Sequence, residues 1–338
     1  MTTYTASLAN HHDPEYVAES AARIDRELCY ENLLIGDERL DRNTYALLAL
    51  AAEHTEDLGL GPGVTNPYTR HPAMTAAGMA TVDRLSGRRA RLGIGGGSPI
   101  ALDPLGYDQD DPIGTLRDAV KTIRPLLDGE QATVDRAEFS INDAGLDVEP
   151  VSEVPIYIAG RGPSILGLAG YRGDGVIAGA GLASVAGMQY ARECIAEGAE
   201  KADRDPAAID VVCWAFLSIA DDCDAALDAV NPLVGRIVAK TPMPALEAIG
   251  IDSAAAETVK AVDDISERSA AELREHIPRS VTEQFAIAGT PAECREHVAR
   301  LQELGVGHIG LLAFGNESRD ALENLAAFSS GVAEPLAE

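Results

Sequence analysis

The segment LGLGPGVTNPYTRHP, residues 58–72, joins a short strand to a turn of unusual composition. Residues 58–61 have the apolar pattern of a buried strand. The residues that follow are rich in glycine and proline, and they also contain a Thr-Asn pair, an arginine and a histidine. A plain loop would be enough to connect a strand to the next helix. We therefore interpret this turn as a surface shaped to contact another group.

Short apolar runs alternate with longer helical patterns along the chain. The predicted strands cover residues 4–9, 32–36, 58–61, 91–95, 155–160, 174–179, 210–219 and 308–314. The predicted helices include residues 14–27, 43–56, 72–86, 163–171, 183–202 and 291–304. This alternation predicts an α/β fold with a parallel sheet, and eight repeats fit a (β/α)8 TIM barrel. A doubly wound sheet is the competing architecture.

Two connections are too long for simple barrel loops, at about residues 96–154 and 220–290. The first contains a helical pattern at 114–128 and a polar segment. The second is mostly helical, acidic and rich in alanine. Connections of this length usually carry function or a structure of their own. We therefore predict a single barrel domain over residues 1–338 with two insertions.

The charge of the chain is strongly negative. Lysine and arginine number 27 against 54 aspartates and glutamates, which gives a net charge of −27. This balance argues against a general nucleic-acid or anionic-membrane partner, because both attract basic surfaces. An acidic surface that is also poor in lysine is typical of a cytoplasm with very high salt, where repulsion between carboxylates is screened. The sequence predicts that the protein comes from a halophilic archaeon. The alternative is an ordinary acidic enzyme from a GC-rich genome.

The remaining composition predicts a cytoplasmic protein without a metal. The five cysteines form no C-x-x-C pair, which suggests reduced thiols and no zinc site. Neither a signal peptide nor an apolar stretch of about 18 residues is visible. The stretch HHDPE at 11–15 resembles a metal cluster, but a helix start with Asp13 as the cap and Pro14 in the first turn explains it better.

In a TIM barrel the carboxyl ends of the strands face the active site, and four strand ends have suggestive residues. Glycines let backbone N–H groups approach a flat ring or an anion, and a helix N-terminus attracts phosphate. The alternative is that the glycines only form tight turns. These candidates are Asp37, Glu38 and Arg39 after strand two, the turn 61–72 after strand three, Gly93, Gly95, Gly96 and Gly97 in strand four, and Gly160, Arg161, Gly162 and Pro163 after strand five.

The stretch LGLGPGVTNPYTRHPAMTAAGMATVDRLSGRRARLGIGGG (58–97) resembles the bacterial-luciferase-like flavin and F420 oxidoreductase superfamily. Within it, the pattern is most similar to the coenzyme F420-dependent 5,10-methylenetetrahydromethanopterin reductases. The similarity continues through PIYIAGRGPSILGLAGYRGDGVI (155–177) and EQFAIAGTPAECREHVARLQELGV (283–306). The segment GVTNPY is the most specific part, and the resemblance implies a (β/α)8 barrel with insertions.

The resemblance also implies a purpose for the crowded turn. Related barrels carry a non-proline cis peptide here, at Gly63–Val64 in this chain, which supports the back of a planar coenzyme ring. The side chains of Thr65 and Asn66 would then bind coenzyme F420, with Asp37 near the ring. The resemblance implies further coenzyme contacts from Gly95, Gly96 and Gly97, and contacts to the coenzyme's tail from Gly160, Arg161, Gly162 and Pro163.

Two positions depart from the pattern of the related enzymes. They often have a histidine after the strand-two aspartate, where this chain has Glu38, and they tend to carry a glutamate in the first strand, where this chain offers only Ser7 and Asn10. Either Glu38 is the catalytic acid, or the substrate differs. The alternative for Glu38 is an exposed loop carboxylate.

The predicted function is hydride transfer between reduced F420 and a C1-carrying pterin or folate, namely 5,10-methylenetetrahydromethanopterin or 5,10-methylenetetrahydrofolate. An FMN-dependent luciferase-like monooxygenase is one alternative, and a non-catalytic flavin-binding barrel is another. The resemblance further implies a homodimer or homotetramer.

Overall fold

The computed structural model describes residues 2–38, 40–150, 152–265 and 267–337. These residues form two compact units. We call Ser7–Ile177 with Cys194–Asp210 the N-terminal unit, and Met1–Ala6, Ala178–Glu193 and Val211–Glu338 the C-terminal unit. The chain passes from one unit to the other within its first strand.

Parallel strands run through the N-terminal unit. Backbone hydrogen bonds link β1 to β2, since Gly36 N–H donates to Leu8 O over 2.9 Å. The next pairs are β2 with β3, then β3 with β4 through two isolated bridges, β4 with β7, and β7 with β8. The strands of this unit are β1 (Thr3–Leu8), β2 (Asn32–Ile35), β3 (Gly59–Pro62), β4 (Leu92–Gly95), β7 (Ile156–Gly160) and β8 (Gly175–Ala178), with a separate antiparallel hairpin, β5 (Ala132–Asp135) and β6 (Ser140–Ala144).

The C-terminal unit is built around one long strand, β9 (Asp210–Ile219). Both β10 (Ala286–Gly289) and β11 (His308–Ala313) pair with it in parallel. The start of β1 lies beside the start of β11, because Thr3 N–H donates to Gly307 O over 2.9 Å. The last eight residues of β9 are all buried, which is typical of a parallel strand covered on both faces.

Helices follow the strands in both units, and their apolar faces cover the sheet. The described helices are α1 (Pro14–Glu27), α2 (Thr44–Glu53), α3 (Pro72–Ser86), α4 (Pro99–Leu102), α5 (Pro112–Leu127), α6 (Pro163–Arg172), α7 (Val185–Glu200), α8 (Cys223–Lys240), α9 (Met243–Ala248), α10 (Ser253–Lys260), α11 (Ala270–His276), α12 (Arg279–Thr282), α13 (Pro291–Glu303), α14 (Ala321–Phe328) and α15 (Glu334–Ala337). Within the described ranges, no helix is both long and apolar enough to span a membrane.

The eight predicted strands are confirmed to within two residues at each end. Three strands were missed. The hairpin β5–β6 is mostly exposed and polar, so no buried alternation marked it. Strand β10 has only four residues, and it lies at the end of a segment whose helical pattern dominates the sequence signal. The hairpin lies in the predicted insertion at 96–154, and β10 lies in the predicted insertion at 220–290.

The sequence signals for a helix start correspond to cap hydrogen bonds in some helices and not in others. Pro14 stands in the first turn of α1 as predicted, but the Asp13 side chain makes no cap hydrogen bond. Its carboxylate pairs with Arg42 instead. Helix α13 has a complete capping box: Thr290 caps the N–H of Glu293, and the Glu293 carboxylate accepts from the Thr290 N–H over 2.8 Å.

The α13 capping box makes a testable contribution to stability. The Thr290 N–H, the Arg279 guanidinium and the Thr290 hydroxyl lower the pKa of Glu293 from its usual 4.5 to about 2. A depressed carboxyl pKa stabilises the fold above the unfolded value and loses that effect as pH falls through the folded value. Glu293→Gln is therefore expected to lower stability by about 1 kcal/mol at pH 7.

Thermal unfolding of both variants across pH 7 to 2 measures this effect. The difference between wild type and Glu293→Gln should shrink between pH 4.5 and about 2. Glu296→Gln, an exposed acid on the same helix, is the matched control and should change little. A difference that stays constant down to pH 2 would show that the charge of Glu293 is irrelevant.

Candidate functional site

The crowded turn after β3 is tied to both neighbouring strands by its backbone. Gly63 N–H donates to Ile35 O over 2.8 Å. On the other side, Thr65 N–H donates to Gly93 O over 3.0 Å and Gly95 N–H donates to Thr65 O over 2.9 Å. The Gly63–Val64 peptide is cis, as the resemblance implied. The turn is therefore held in place by the ends of β2 and β4.

The two predicted residues Asp37 and Thr65 are brought together at these strand ends. The Thr65 hydroxyl donates to Asp37 Oδ2 over 2.7 Å. Thr65 is fully buried, while Asp37 is half-buried. Asp37 is thus placed as a hydrogen-bond acceptor at the carboxyl ends of two parallel strands.

Asn66 has a structural task in the turn itself. Its side-chain oxygen accepts from the backbone N–H groups of Tyr68 and Thr69 over 3.0 and 2.9 Å, and from the Thr69 hydroxyl. This is an Asx turn, in which a short polar side chain holds the next residues of its own backbone. The Asn66 carbonyl oxygen is therefore committed to the turn, and any contact with a ligand falls to its amide nitrogen.

One further residue near the Asp37–Thr65 pair is Tyr45, which lies in the first turn of α2. Burial and the nearby Asp37 charge raise the pKa of Tyr45 to about 12. The Arg70 guanidinium lies over the ring, 4.3 Å from its centroid. No sequence signal marks Tyr45, because a tyrosine in an apolar helical stretch is typical of ordinary core packing.

Two glycines at the ends of β2 and β4 are uncrowded. A Cβ added at Gly36 or Gly96 would be in ordinary van der Waals contact, with no heavy atom closer than 3.7 Å. Gly97 has a φ of +82°, in the left-handed region that favours glycine. Gln109 donates to the Gly96 carbonyl oxygen over 2.6 Å and so fixes this turn. The glycine run leaves a surface that a flat ring can approach closely.

The predicted tail-binding residues lie at the start of α6. Gly162 is the N-cap and makes no side-chain cap bond, Pro163 follows it, and a Cβ added at Gly162 would meet nothing within 4 Å. Gly160 is crowded, with Ile165 only 2.1 Å from where its Cβ would lie. Burial lowers the pKa of Arg161. An open helix N-terminus beside an arginine is suited to an anionic group.

The residues discussed as possible acids differ in exposure. Glu38 is exposed at the end of β2, and its backbone oxygen accepts from Asn10 over 3.1 Å. Ser7 is fully buried, and its hydroxyl has no hydrogen-bond partner among the described residues. Arg39 lies outside the described residues. Ser7 is therefore a buried packing residue, and Glu38 is more exposed to solvent than Asp37.

The β5–β6 hairpin is joined to α5 by ion pairs. Arg136 pairs with Asp111, Asp118 and Glu138 at 3.1, 2.8 and 3.2 Å. Arg117 and Arg136 hold the pKa of Asp118 well below its usual range.

The crowded turn contacts the same hairpin through a histidine. His71 Nδ1 accepts from the Ala73 N–H, so Nε2 carries the proton and donates to Ser140 O over 2.9 Å. His71 and Phe139 also meet edge to face, with ring centroids 5.8 Å apart. His71 is thus a helix cap and a hairpin contact. Within the described ranges, no cluster of three potential metal ligands was found.

Comparison with known proteins places the chain in a family. The model of the family described as luciferase-like monooxygenase matches residues 1–308, so the chain belongs to that family. The resemblance stated from the residues is confirmed.

Relatives of the chain narrow the class of protein within the family. The chain is 34% identical to 5,10-methylenetetrahydromethanopterin reductase from Methanolobus tindarius over 297 residues, which cover 88% of this chain and 90% of the relative. It is also 34% identical to the enzyme of that name from Archaeoglobus fulgidus, over 87% and 88% of the two chains. A shorter match, 35% over 54% of the chain, is to an F420-dependent glucose-6-phosphate dehydrogenase from Beutenbergia cavernae.

A solved structure confirms the fold prediction. Coenzyme F420-dependent tetrahydromethanopterin reductase from Methanopyrus kandleri superposes with a TM-score of 0.84, at 26% identity over 99% of both chains. The chain therefore has the luciferase-like (β/α)8 barrel fold, and the doubly wound alternative is wrong.

Proposed function

We propose that the protein is an F420-dependent oxidoreductase that reduces a methylene group carried by a pterin or a folate. The observation that carries the proposal is the Asp37–Thr65 pair beside the Gly63–Val64 turn. It stands in a chain that aligns over most of its length with methylenetetrahydromethanopterin reductases. The three relatives of that name align with 83–88% of this chain, whereas the F420-dependent glucose-6-phosphate dehydrogenase that is 35% identical aligns with 54% of it.

The residues at the strand ends fit coenzyme F420. The turn 63–66 would support one face of the ring, and the backbone of Gly95, Gly96 and Gly97 would border it. The N-terminus of α6, with Arg161, Gly162 and Pro163, would bind the anionic tail. When bound in its reduced form, F420 supplies a hydride, so the task of the protein is placement of ring and substrate.

Acid catalysis would fall to Glu38 in this proposal. Reduction of a methylene-pterin passes through an iminium-like ion, and a nearby carboxylic acid helps to form it. Asp37 is the weaker candidate, because its Oδ2 already accepts from the Thr65 hydroxyl and its side chain is half-buried. Glu38 is exposed and follows Asp37 directly in the segment after β2.

An FMN-dependent monooxygenase is the second candidate, since the family itself is described as luciferase-like monooxygenase. The decisive test is a fluorescence titration of the purified protein in concentrated KCl, with F420 and with FMN in parallel. We expect micromolar binding of F420 and none of FMN. Assays with methylenetetrahydromethanopterin and methylenetetrahydrofolate then identify the carrier. Preference for FMN would overturn the proposal, and binding of neither would leave a non-catalytic barrel.

Self-association is part of the proposal, as a homodimer or homotetramer. It rests on the resemblance to the related enzymes. Gel filtration in the same concentrated KCl measures it, and elution as a monomer would contradict it.

A further inference from the structure

The side chain of Asn10, which follows β1, crosses to the segment that follows β2. Its amide nitrogen donates to the backbone oxygen of Glu38 over 3.1 Å and to that of Arg42 over 3.0 Å. Each of the two amide protons therefore has one acceptor. The two carbonyl oxygens, which lie four residues apart in the chain, converge on a single nitrogen. We call this pair of hydrogen bonds the Asn10 clamp.

The clamp is buried, although the segment that it holds is exposed. Asn10 is only 4% exposed. It packs against the end of β2, since a Cβ added at Gly36 would lie 3.7 Å from the Asn10 side-chain oxygen. Glu38 is exposed by contrast, and Leu40 is 78% exposed. A surface segment with little packing opens easily unless hydrogen bonds hold it, so the buried Asn10 amide is its anchor.

A second link joins the same two loops in the opposite direction. The Arg42 guanidinium donates to the His11 backbone oxygen and pairs with the Asp13 carboxylate. The side chains of Arg42 and Asp13 are 41% and 72% exposed, so solvent screens this ion pair and it contributes little. The Asn10 clamp is therefore the link on which the position of the segment chiefly depends.

The chemistry of this position favours a short side chain with two donors and no charge. Aspartate has the same shape as Asn10, but its ionised carboxylate would offer no proton and would face two carbonyl oxygens. Alanine would remove the donors without adding a charge. An amide does not release a proton, so Asn10 itself supplies no acid. What it can supply is a fixed backbone for its neighbour Glu38.

We propose that Asn10 is a positioning residue for Glu38. By holding the backbone oxygens of Glu38 and Arg42, its amide fixes the segment that carries the proposed acid at the carboxyl end of β2. A general acid acts only within hydrogen-bond reach of the group that it protonates, so a backbone held in one conformation favours proton transfer. The inference rests on the proposed function in giving Glu38 the role of acid, whereas the clamp itself does not depend on that role.

Limited digestion of the ligand-free protein with trypsin tests the clamp without any coenzyme. Trypsin cleaves after arginine, and the sequence of the held segment contains Arg39 and Arg42. Asn10→Asp removes both donors and keeps the shape of the side chain. We expect cleavage within residues 38–43 to become about 10-fold faster, because the segment opens more often once two hydrogen bonds are lost. Asn10→Ala takes its place if Asn10→Asp does not fold.

Turnover then tests whether the clamp acts through Glu38. In Asn10→Asp we expect kcat for F420-dependent reduction to fall about 10-fold, since a positioned general acid contributes about 100-fold or more. The Kd for F420 should change less than about twofold, because an acid that acts in the transition state adds little to binding of the coenzyme. In a Glu38→Gln background, Asn10→Asp should cause no further fall in kcat, because the acid that it positions is already lost.

Asn324→Asp is the matched control for the loss of a buried amide. Asn324 is fully buried in the C-terminal unit, and its amide nitrogen also donates to two backbone oxygens, those of Phe314 and Asp320, over 2.9 and 3.0 Å. This variant should lower the melting temperature, as Asn10→Asp does. It should leave kcat and tryptic cleavage within residues 38–43 unchanged.

Each outcome decides the inference. An unchanged cleavage rate in Asn10→Asp would overturn the clamp, and additive falls in kcat in the double variant would overturn the role of Asn10 toward Glu38. A loss of F420 binding as large as the fall in kcat would also overturn it, since the whole site would then be disturbed. Failure of wild type to bind F420 would overturn the proposed function alone, because digestion of the ligand-free protein still decides whether Asn10 holds the segment.

Discussion

Replacing Asp37 with asparagine is expected to lower kcat/KM for F420-dependent turnover about 10- to 100-fold. The substitution keeps the shape of the side chain and removes its charge. Hydrogen bonds to a charged group are worth about 1.5–3 kcal/mol, and each 1.4 kcal/mol is a factor of ten. The Thr65 hydroxyl can still bond the asparagine, so the fold should be retained.

Steady-state kinetics and the F420 titration measure this effect together. Asp41→Asn is the matched control, because Asp41 is an exposed acid on the same segment after β2. We expect it to behave like wild type. Turnover of Asp37→Asn within twofold of wild type would show that the carboxylate does not contact the reacting groups, and the proposed coenzyme position would then be wrong.

Gly61→Ala is expected to have the largest effect on stability, a loss of about 3 kcal/mol or more. A Cβ at Gly61 would lie 1.7 Å from the Arg91 carbonyl oxygen and 2.8 Å from its carbonyl carbon. Both are backbone atoms at the start of β4, which cannot turn aside as a side chain can. The alanine therefore forces β3 and β4 apart and displaces the turn after β3.

Thermal unfolding at a fixed scan rate checks this prediction, with a fall of about 5 °C or more expected for a chain of this size. Gly307→Ala is the control, because a Cβ there would meet nothing within 4 Å. An unchanged melting temperature for Gly61→Ala would mean that the two strands separate at little cost.

Close packing at Gly61 and Gly93 explains the glycines of the stretch 58–97 better than flexibility does. A Cβ at Gly93 would lie 2.4 Å from Pro62 O, so the two glycines let β3 and β4 approach from both sides. The coenzyme contacts predicted for strand four were those of Gly95, Gly96 and Gly97, and for Gly93 the structure provides a packing reason. A Cβ would lie 2.6 Å from Leu102 at Gly97 and 3.3 Å from Ala159 O at Gly95, while Gly96 is in ordinary van der Waals contact and Gly162 borders open space.

The two predicted insertions contain both an element that the sequence pattern predicts and elements that it does not predict. The helix at 114–128 was recognised and corresponds to α5, because its apolar residues recur at helical spacing. The hairpin β5–β6 was not, because its position depends on Arg136 and its three carboxylate partners. Charge pairs between segments distant in sequence leave no periodic signal.

The sequence by itself determined the order of strands and helices, the family, and the strand ends that carry polar residues. These depend on local periodicity and on short motifs, which one stretch of chain expresses alone. Only the tertiary structure decided that Thr65 donates to Asp37, that Asn66 serves its own turn, and that Tyr45 lies beside them. Such contacts join residues from separate elements, so they exist only after the backbone hydrogen bonds of neighbouring strands bring those elements together.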